Sequence, residues 1–186
     1  MREEIYIHFG NDRYEPCAVG HIVNDEYWPK PHGGLWASRE GDPNGWEAWC
    51  RHEHYAIEKL ERFFRFVLHD SCRILILEEE NQLIKLPKLK AWQPKDLAWM
   101  ENMKPDQFPT PEQLEELFRQ NWCYLDYEKL SEEYDAIELT NAGAFHGSLG
   151  LWDCNSILIL NPAIVCPVEG SQEKLGGGEI VAGQSG

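Results

Sequence analysis

The run Gly33-Gly34-Leu35-Trp36-Ala37-Ser38, followed by Gly45-Trp46-Glu47-Ala48-Trp49-Cys50, holds the residue types best suited to chemistry in this chain. Adjacent glycines let a backbone approach a neighbour closely. Trp36 and Ser38, two apart on a strand, share a face. An indole beside a hydroxyl suits a flat ring stacked on the Trp and hydrogen-bonded at its edge. The same residues suit a β-turn entering a core strand, and the segment alone leaves both readings open.

Composition narrows the setting. The chain has 186 residues, 42% of them hydrophobic, and eight Trp, which argues for a folded globule. Lys and Arg number 17 against 32 Asp and Glu, a net charge of −15. That excess disfavours broad affinity for phosphate backbones; it fits a soluble surface or a basic protein partner. No apolar run approaches the roughly 20 residues that span a bilayer, and Met1-Arg2-Glu3-Glu4 lacks a signal-peptide pattern. A cytoplasmic protein without membrane contact is expected.

The six cysteines (Cys17, Cys50, Cys72, Cys123, Cys154, Cys166) are scattered and form no C-x-x-C pair. They read as reduced, mostly buried thiols. Cys50, His52 and His54 are close in sequence, but on a helix His52 points away from the other two, so no metal site is expected. A cysteine nucleophile, Cys50 or Cys154 with His146 or His54, has no local motif behind it. There is no G-x-S-x-G elbow, and Gly176-Gly177-Gly178 lacks the Lys and helix of a phosphate-binding loop.

The elements that would position these residues are strand-rich. Residues 5–9 predict a first strand ending at Gly10-Asn11-Asp12, residues 12–32 a loop, and residues 35–38 a second strand. A helix follows over 45–52. Tyr55, Leu60, Phe63, Phe64, Val67 and Leu68 recur near helical spacing and predict a further helix. Residues 72–78, apolar on both faces, read as a central strand, and 83–86 as a shorter one after a turn at 79–82. Residues 88–111 form a Trp- and Pro-rich insert, and Pro111 opens a helix with Leu114, Leu117 and Phe118 inward. Asp126 is a plausible N-cap for a helix over 127–133. Strands are expected over 134–140 and, last, over 155–160, with a loop over 141–150 between them. Residues 169–186 read as a flexible tail. The sum is one α+β domain over 1–168.

In this order the elements resemble the ADP-ribosyltransferase superfamily, most visibly the rifampin-type enzymes and more loosely the poly-ADP-ribose polymerase branch. Those proteins have a first strand bearing a His before a turn, here His8 before Phe9-Gly10. A second strand carries an aromatic and a hydroxyl and leads into a helix, here Leu35-Trp36-Ala37-Ser38 and 45–50. An Arg-led apolar strand follows, here Arg73-Ile74-Leu75-Ile76-Leu77-Glu78, and an acid lies near a late strand. The chain departs from the family in having Trp36 where Tyr is usual. It also offers two acids, Asp153 before the final strand and Glu138 in the preceding one.

The resemblance implies split mixed and antiparallel sheets with flanking helices, and transfer of ADP-ribose from NAD as co-substrate. Breaking the nicotinamide–ribose bond develops positive charge on the sugar, which a carboxylate stabilises. That role falls to Asp153 or Glu138. His8 would bind the adenosine-side ribose, Trp36 would face the nicotinamide, and Gly33 and Gly34 would lie close to the ring. Ser38 would hydrogen-bond in the pocket or steady its strand. The acceptor, whether small molecule, protein side chain or nucleic-acid base, is not named by the sequence. The rival reading is an acidic protein-binding inhibitor or nucleic-acid mimic without catalysis, drawing on the acidic runs at 78–80, 112–116 and 128–135. Convergence of His8, Trp36 and one of the two acids in a concave site separates the two readings.

Overall fold

A computed structural model describes residues 4–25, 28–89, 110, 124–145, 149 and 152–168. The strands are β1 (Tyr6–Phe9), β2 (Leu35–Arg39), β3 (Phe63–Leu68), β4 (Ile74–Leu77), β5 (Ala136–Leu139), β6 (Ser156–Ile159) and β7 (Val165–Pro167). Two α-helices lie among the described residues, α1 (Trp46–Glu53) and α2 (Tyr127–Glu133). The fold is mixed α+β around a seven-stranded sheet of order β4-β5-β6-β2-β1-β3-β7. Among the described strand pairs β4–β5 is parallel and the others are antiparallel. No helix among the described residues is long and apolar enough to cross a membrane.

The sheet is covered on both faces, which accounts for its apolar runs. Trp36, Leu75, Leu77, Ile137, Leu139 and Leu158 lie on one face with Tyr127 and Leu130 of α2 and with Trp152. Tyr6, Leu35, Ala37, Phe64, Phe66, Ile157 and Ile159 lie on the other with Ile164 and Val165. Residues of β2 and β6 therefore alternate between two cores, and the neighbouring β5 is buried at all four of its positions. Asp126 caps α2 through its carboxylate, which accepts from the Lys129 N–H at 3.1 Å.

Four expectations about elements need correction. Residues 55–68 are not a helix: a 3-10 turn (Ile57–Glu61) leads into β3. Phe63 to Phe66 are buried on both sides, so the strand lacks period-two polarity and mimics a helical stripe. Its Phe-Phe-Arg-Phe-Val composition favours the strand. Residues 83–86 are not a strand: 83–85 end a 3-10 helix (Glu80–Lys85) that has a Glu79–Gln82 capping box, and Leu86 is its C-cap. The 74–77 strand lies at the sheet edge, with Ile76 43% exposed. There Gln82 donates to the Ile76 carbonyl and accepts from the Glu78 and Glu79 N–H groups, covering the edge that an eighth strand would have paired. Strand β6 is not the last, because Asn161-Pro162 ends it only for a turn before β7 pairs with β3.

The helix expected from Pro111, most of the 88–111 insert and the whole 169–186 tail lie outside the described residues. The five described cysteines are free, with Cys50 and Cys154 buried, Cys72 and Cys166 half-buried and Cys17 exposed.

Candidate ligand-binding cleft

The cleft begins where a ladder ends. The β1–β2 pair is anchored by the Glu40 N–H to Ile5 carbonyl bond at 2.8 Å and continues through Tyr6–Arg39 and Ile7–Ser38. Hydrogen-bonded pairs alternate in an antiparallel ladder, so Phe9 with Trp36 would come next. Instead His8 Nδ1 lies 2.7 Å from the Trp36 carbonyl. A carbonyl can only accept, so Nδ1 carries the proton and Nε2 is left as an acceptor, with Asn11 Nδ2 at 3.4 Å. Burial holds the imidazole below its ordinary pKa, in the neutral form. Strand β1 stays paired with β3 through Phe9–Phe63, so it parts from β2.

A cavity of about 230 Å³ opens beside this gap, with Ile7, His8 and Phe9 on one side and Trp36 and Ala37 on the other. Asp153, Cys154 and Ser156 line it from the start of β6, Trp46 from α1, Lys59 from the 3-10 turn and Lys30 from the loop before β2. His8, Trp36 and Asp153 thus meet in one concave site.

Trp36 is held edge-on against Trp152, with ring centroids 4.7 Å apart. The Lys30 ammonium sits 4.8 Å from the Trp36 ring centroid, so the face expected to receive a flat ring already carries a cation. A short relay fixes Lys30. Trp152 Nε1 donates to the Tyr127 hydroxyl, which donates to the carbonyl of buried Pro29, each at 3.1 Å. Burial lowers the Lys30 amine, while Asp153 and then Cys154 oppose that shift.

Ser38 does not reach the ligand space. It is 2% exposed, its hydroxyl donates to the Asn155 carbonyl at 3.2 Å, and it accepts from the Trp46 N–H at 2.9 Å. The second bond tethers the first turn of α1, whose own N-cap is Gly45, to β2. Gly33 and Gly34 also serve the fold. Both have positive φ, 79° and 70°; a Cβ on Gly33 would strike the His21 carbonyl, and one on Gly34 would lie 2.6 Å from Leu158 Cδ1. Their close approach is to the 20–22 loop and to β6.

The two acids part company. Asp153 is exposed and lines the cleft. Glu138 does not line the cleft: it is 3% exposed on the Tyr6 face of the sheet, bound at 2.6 and 3.0 Å by the Arg39 guanidinium, with the Tyr6 hydroxyl donating at 3.2 Å. Burial, and then this carboxylate, pushes the Tyr6 hydroxyl above its ordinary value. The Cys154 thiol is pushed up to about 12, chiefly by burial, so the cleft offers no thiolate near neutrality. His146 lies outside the described residues.

The sequence assigns no ligand-binding role to Lys30, Lys59, Trp46 or Asn155. A signal for the first was present in Pro29-Lys30-Pro31, one residue ahead of the paired glycines, where two prolines stiffen a loop. Asn155 clamps the site's rear wall. Its N–H donates to the Asn44 carbonyl, its Nδ2 donates to Asp42, and its Oδ1 accepts from the Ala142 N–H. Among the described residues no group of three or more His, Cys, Asp or Glu is arranged to hold a metal ion. No protein-family model, curated protein or solved structure matches the chain.

Proposed function

We propose that this cleft binds NAD and that the protein is an NAD-dependent ADP-ribosyltransferase with the corresponding α+β fold. The observation that carries the reading is the meeting of His8, Trp36 and Asp153 where β1 and β2 part. A half-open apolar wall beside a carboxylate suits the nicotinamide–ribose half of the dinucleotide. The Trp36–Trp152 pair gives that wall its shape. His8, its Nδ1 proton committed to Trp36, has Nε2 as its acceptor, and a ribose hydroxyl would take the place of the Asn11 amide that now lies 3.4 Å from it. Asp153 is the carboxylate left to oppose positive charge on the ribose carbon as nicotinamide leaves, and to orient an acceptor's nucleophile. Glu138, committed to Arg39, has a structural part.

The rival reading, a catalytically silent acidic binder, needs free carboxylates spread over one face. Several acids of the relevant runs are engaged locally instead. Asp135 binds Arg73 and Asn161, Glu128 accepts from the Asn24 N–H, and Glu79 caps a helix. The acceptor is left as a small molecule, a protein side chain or a nucleic-acid base.

The test is release of nicotinamide from NAD by the purified protein, with Asp153→Asn and Glu138→Gln alongside. Slow hydrolysis abolished in the Asp153 variant and retained in folded Glu138→Gln supports the reading. Hydrolysis that survives Asp153→Asn removes Asp153 from the chemistry.

A further inference from the structure

The chain carries a net charge of −15, yet two lysines, Lys30 and Lys59, line the cleft against one carboxylate, Asp153. Every arginine among the described residues is already spoken for. Arg13 pairs with Glu15, Arg39 with Glu138, Arg51 with Glu47, Arg62 with Asp12, Arg65 with Glu40 and Arg73 with Asp135. Among those residues neither Lys30 nor Lys59 makes an ion pair. Lys85 and Lys129 make no ion pair among them either, but they lie outside the cavity; what sets Lys30 and Lys59 apart is that both line it.

Each lysine is placed there by a distinct local feature of the fold. Lys30 lies over the Trp36 ring on a loop fixed by buried Pro29 and the Tyr127 hydroxyl. Burial lowers its amine, so an anion arriving beside it recovers lost charge stabilisation. Lys59 reaches the cleft because the chain doubles back after α1. That reversal requires two non-glycine residues in the left-handed region, His54 at φ 53° and Ala56 at φ 47°. Left-handed alanine is disfavoured by its Cβ, and such strain persists where the surrounding structure enforces it. The reversal also packs Tyr55 edge-on against Trp46 and Trp49, which sets Trp46 in the same wall as Lys59.

We propose that Lys30 and Lys59 form an anion subsite in the cleft that takes a phosphate group of the ligand. The inference rests on the cleft being a ligand site, as proposed above, but not on that ligand being NAD. Two ammonium groups act as point charges with rotatable donors, which suits phosphate oxygens. The phosphate can belong to the dinucleotide or to a phosphorylated acceptor.

The probe is inorganic pyrophosphate, titrated by calorimetry into the wild type and into Lys30→Met, Lys59→Met and Lys129→Met. Methionine keeps the apolar stem of Lys30 on Trp36, and Lys59 is exposed, so both variants should fold; thermal unfolding checks this. Lys129, on exposed α2 surface away from the cleft, is the control. Expected is saturable binding that weakens roughly tenfold in each cleft variant, the size of one charge-assisted hydrogen bond, and is unchanged in the control. No binding by the wild type, or an equal loss in Lys129→Met, overturns the subsite. Pyrophosphate that competes with NAD assigns the phosphate to the dinucleotide, and pyrophosphate that binds alongside NAD assigns it to the acceptor. Pyrophosphate binding without NAD binding upholds the subsite and removes the transferase reading.

Discussion

His8 Nδ1 sits 2.7 Å from the carbonyl of Trp36, in the place where the next backbone N–H of the β1–β2 ladder would stand. A side chain thereby takes over a main-chain hydrogen bond, the partner carbonyl stays satisfied, and the two strands are free to part. The cleft is a consequence of that substitution.

Replacing His8 by Ala should leave the Trp36 carbonyl without its donor. The expected loss is about 1–3 kcal/mol in denaturant unfolding. A variant as stable as the wild type would mean that the strands simply re-pair through Phe9.

The same imidazole gives stability a pH dependence. Burial lowers its folded-state pKa from the ordinary 6.5. The unfolded chain therefore binds more protons below that value, and stability falls as pH drops from 6.5 through the folded pKa, with the full contribution present above 6.5. His8→Asn should flatten this part of the stability-pH curve. An unchanged slope would show that other groups carry it.

Ser38→Ala should cost about 1–2 kcal/mol, because one hydroxyl serves both the Asn155 carbonyl and the first turn of α1. Trp46 and Trp49 belong to that helix, so a red shift of Trp fluorescence should accompany the loss. If Ser38 instead served the ligand, binding would change while stability did not.

Glu138 and Asp153 should separate cleanly. Glu138→Gln strips the buried partner from Arg39 and should destabilise by about 3 kcal/mol, the low end for a broken buried pair because Arg39 keeps some solvent contact. Asp153→Asn, at an exposed position, should leave unfolding unchanged within about 0.5 kcal/mol and act only on turnover. Paired unfolding and nicotinamide-release assays read the two effects independently.

Much of this arrangement was legible in the residues. The first two strands, the α1 helix and the Asp126 cap followed from local composition and order, whereas the choice of His8, Trp36 and an acid came from the family resemblance. Phe63–Leu68 was misread because a strand buried on both faces has no alternation to betray it. The edge position of Ile74–Leu77 was hidden because its cover, the Gln82 amide, comes from a turn with no apolar signal. Gly33, Gly34 and Ser38 suited both a ligand site and a packed strand entry in the sequence, because tight packing and ligand approach demand the same small residues. Lys30 was passed over because its place over Trp36 depends on Tyr127, 97 positions along the chain from it. No local pattern encodes such a contact.

The most direct measurement is a calorimetric titration of the wild-type protein with NAD, repeated on Trp36→Leu with its fold checked by circular dichroism. The account predicts saturable binding at one site per chain, lost or severely weakened in the variant. A folded wild type that takes up no NAD at millimolar concentration would contradict it.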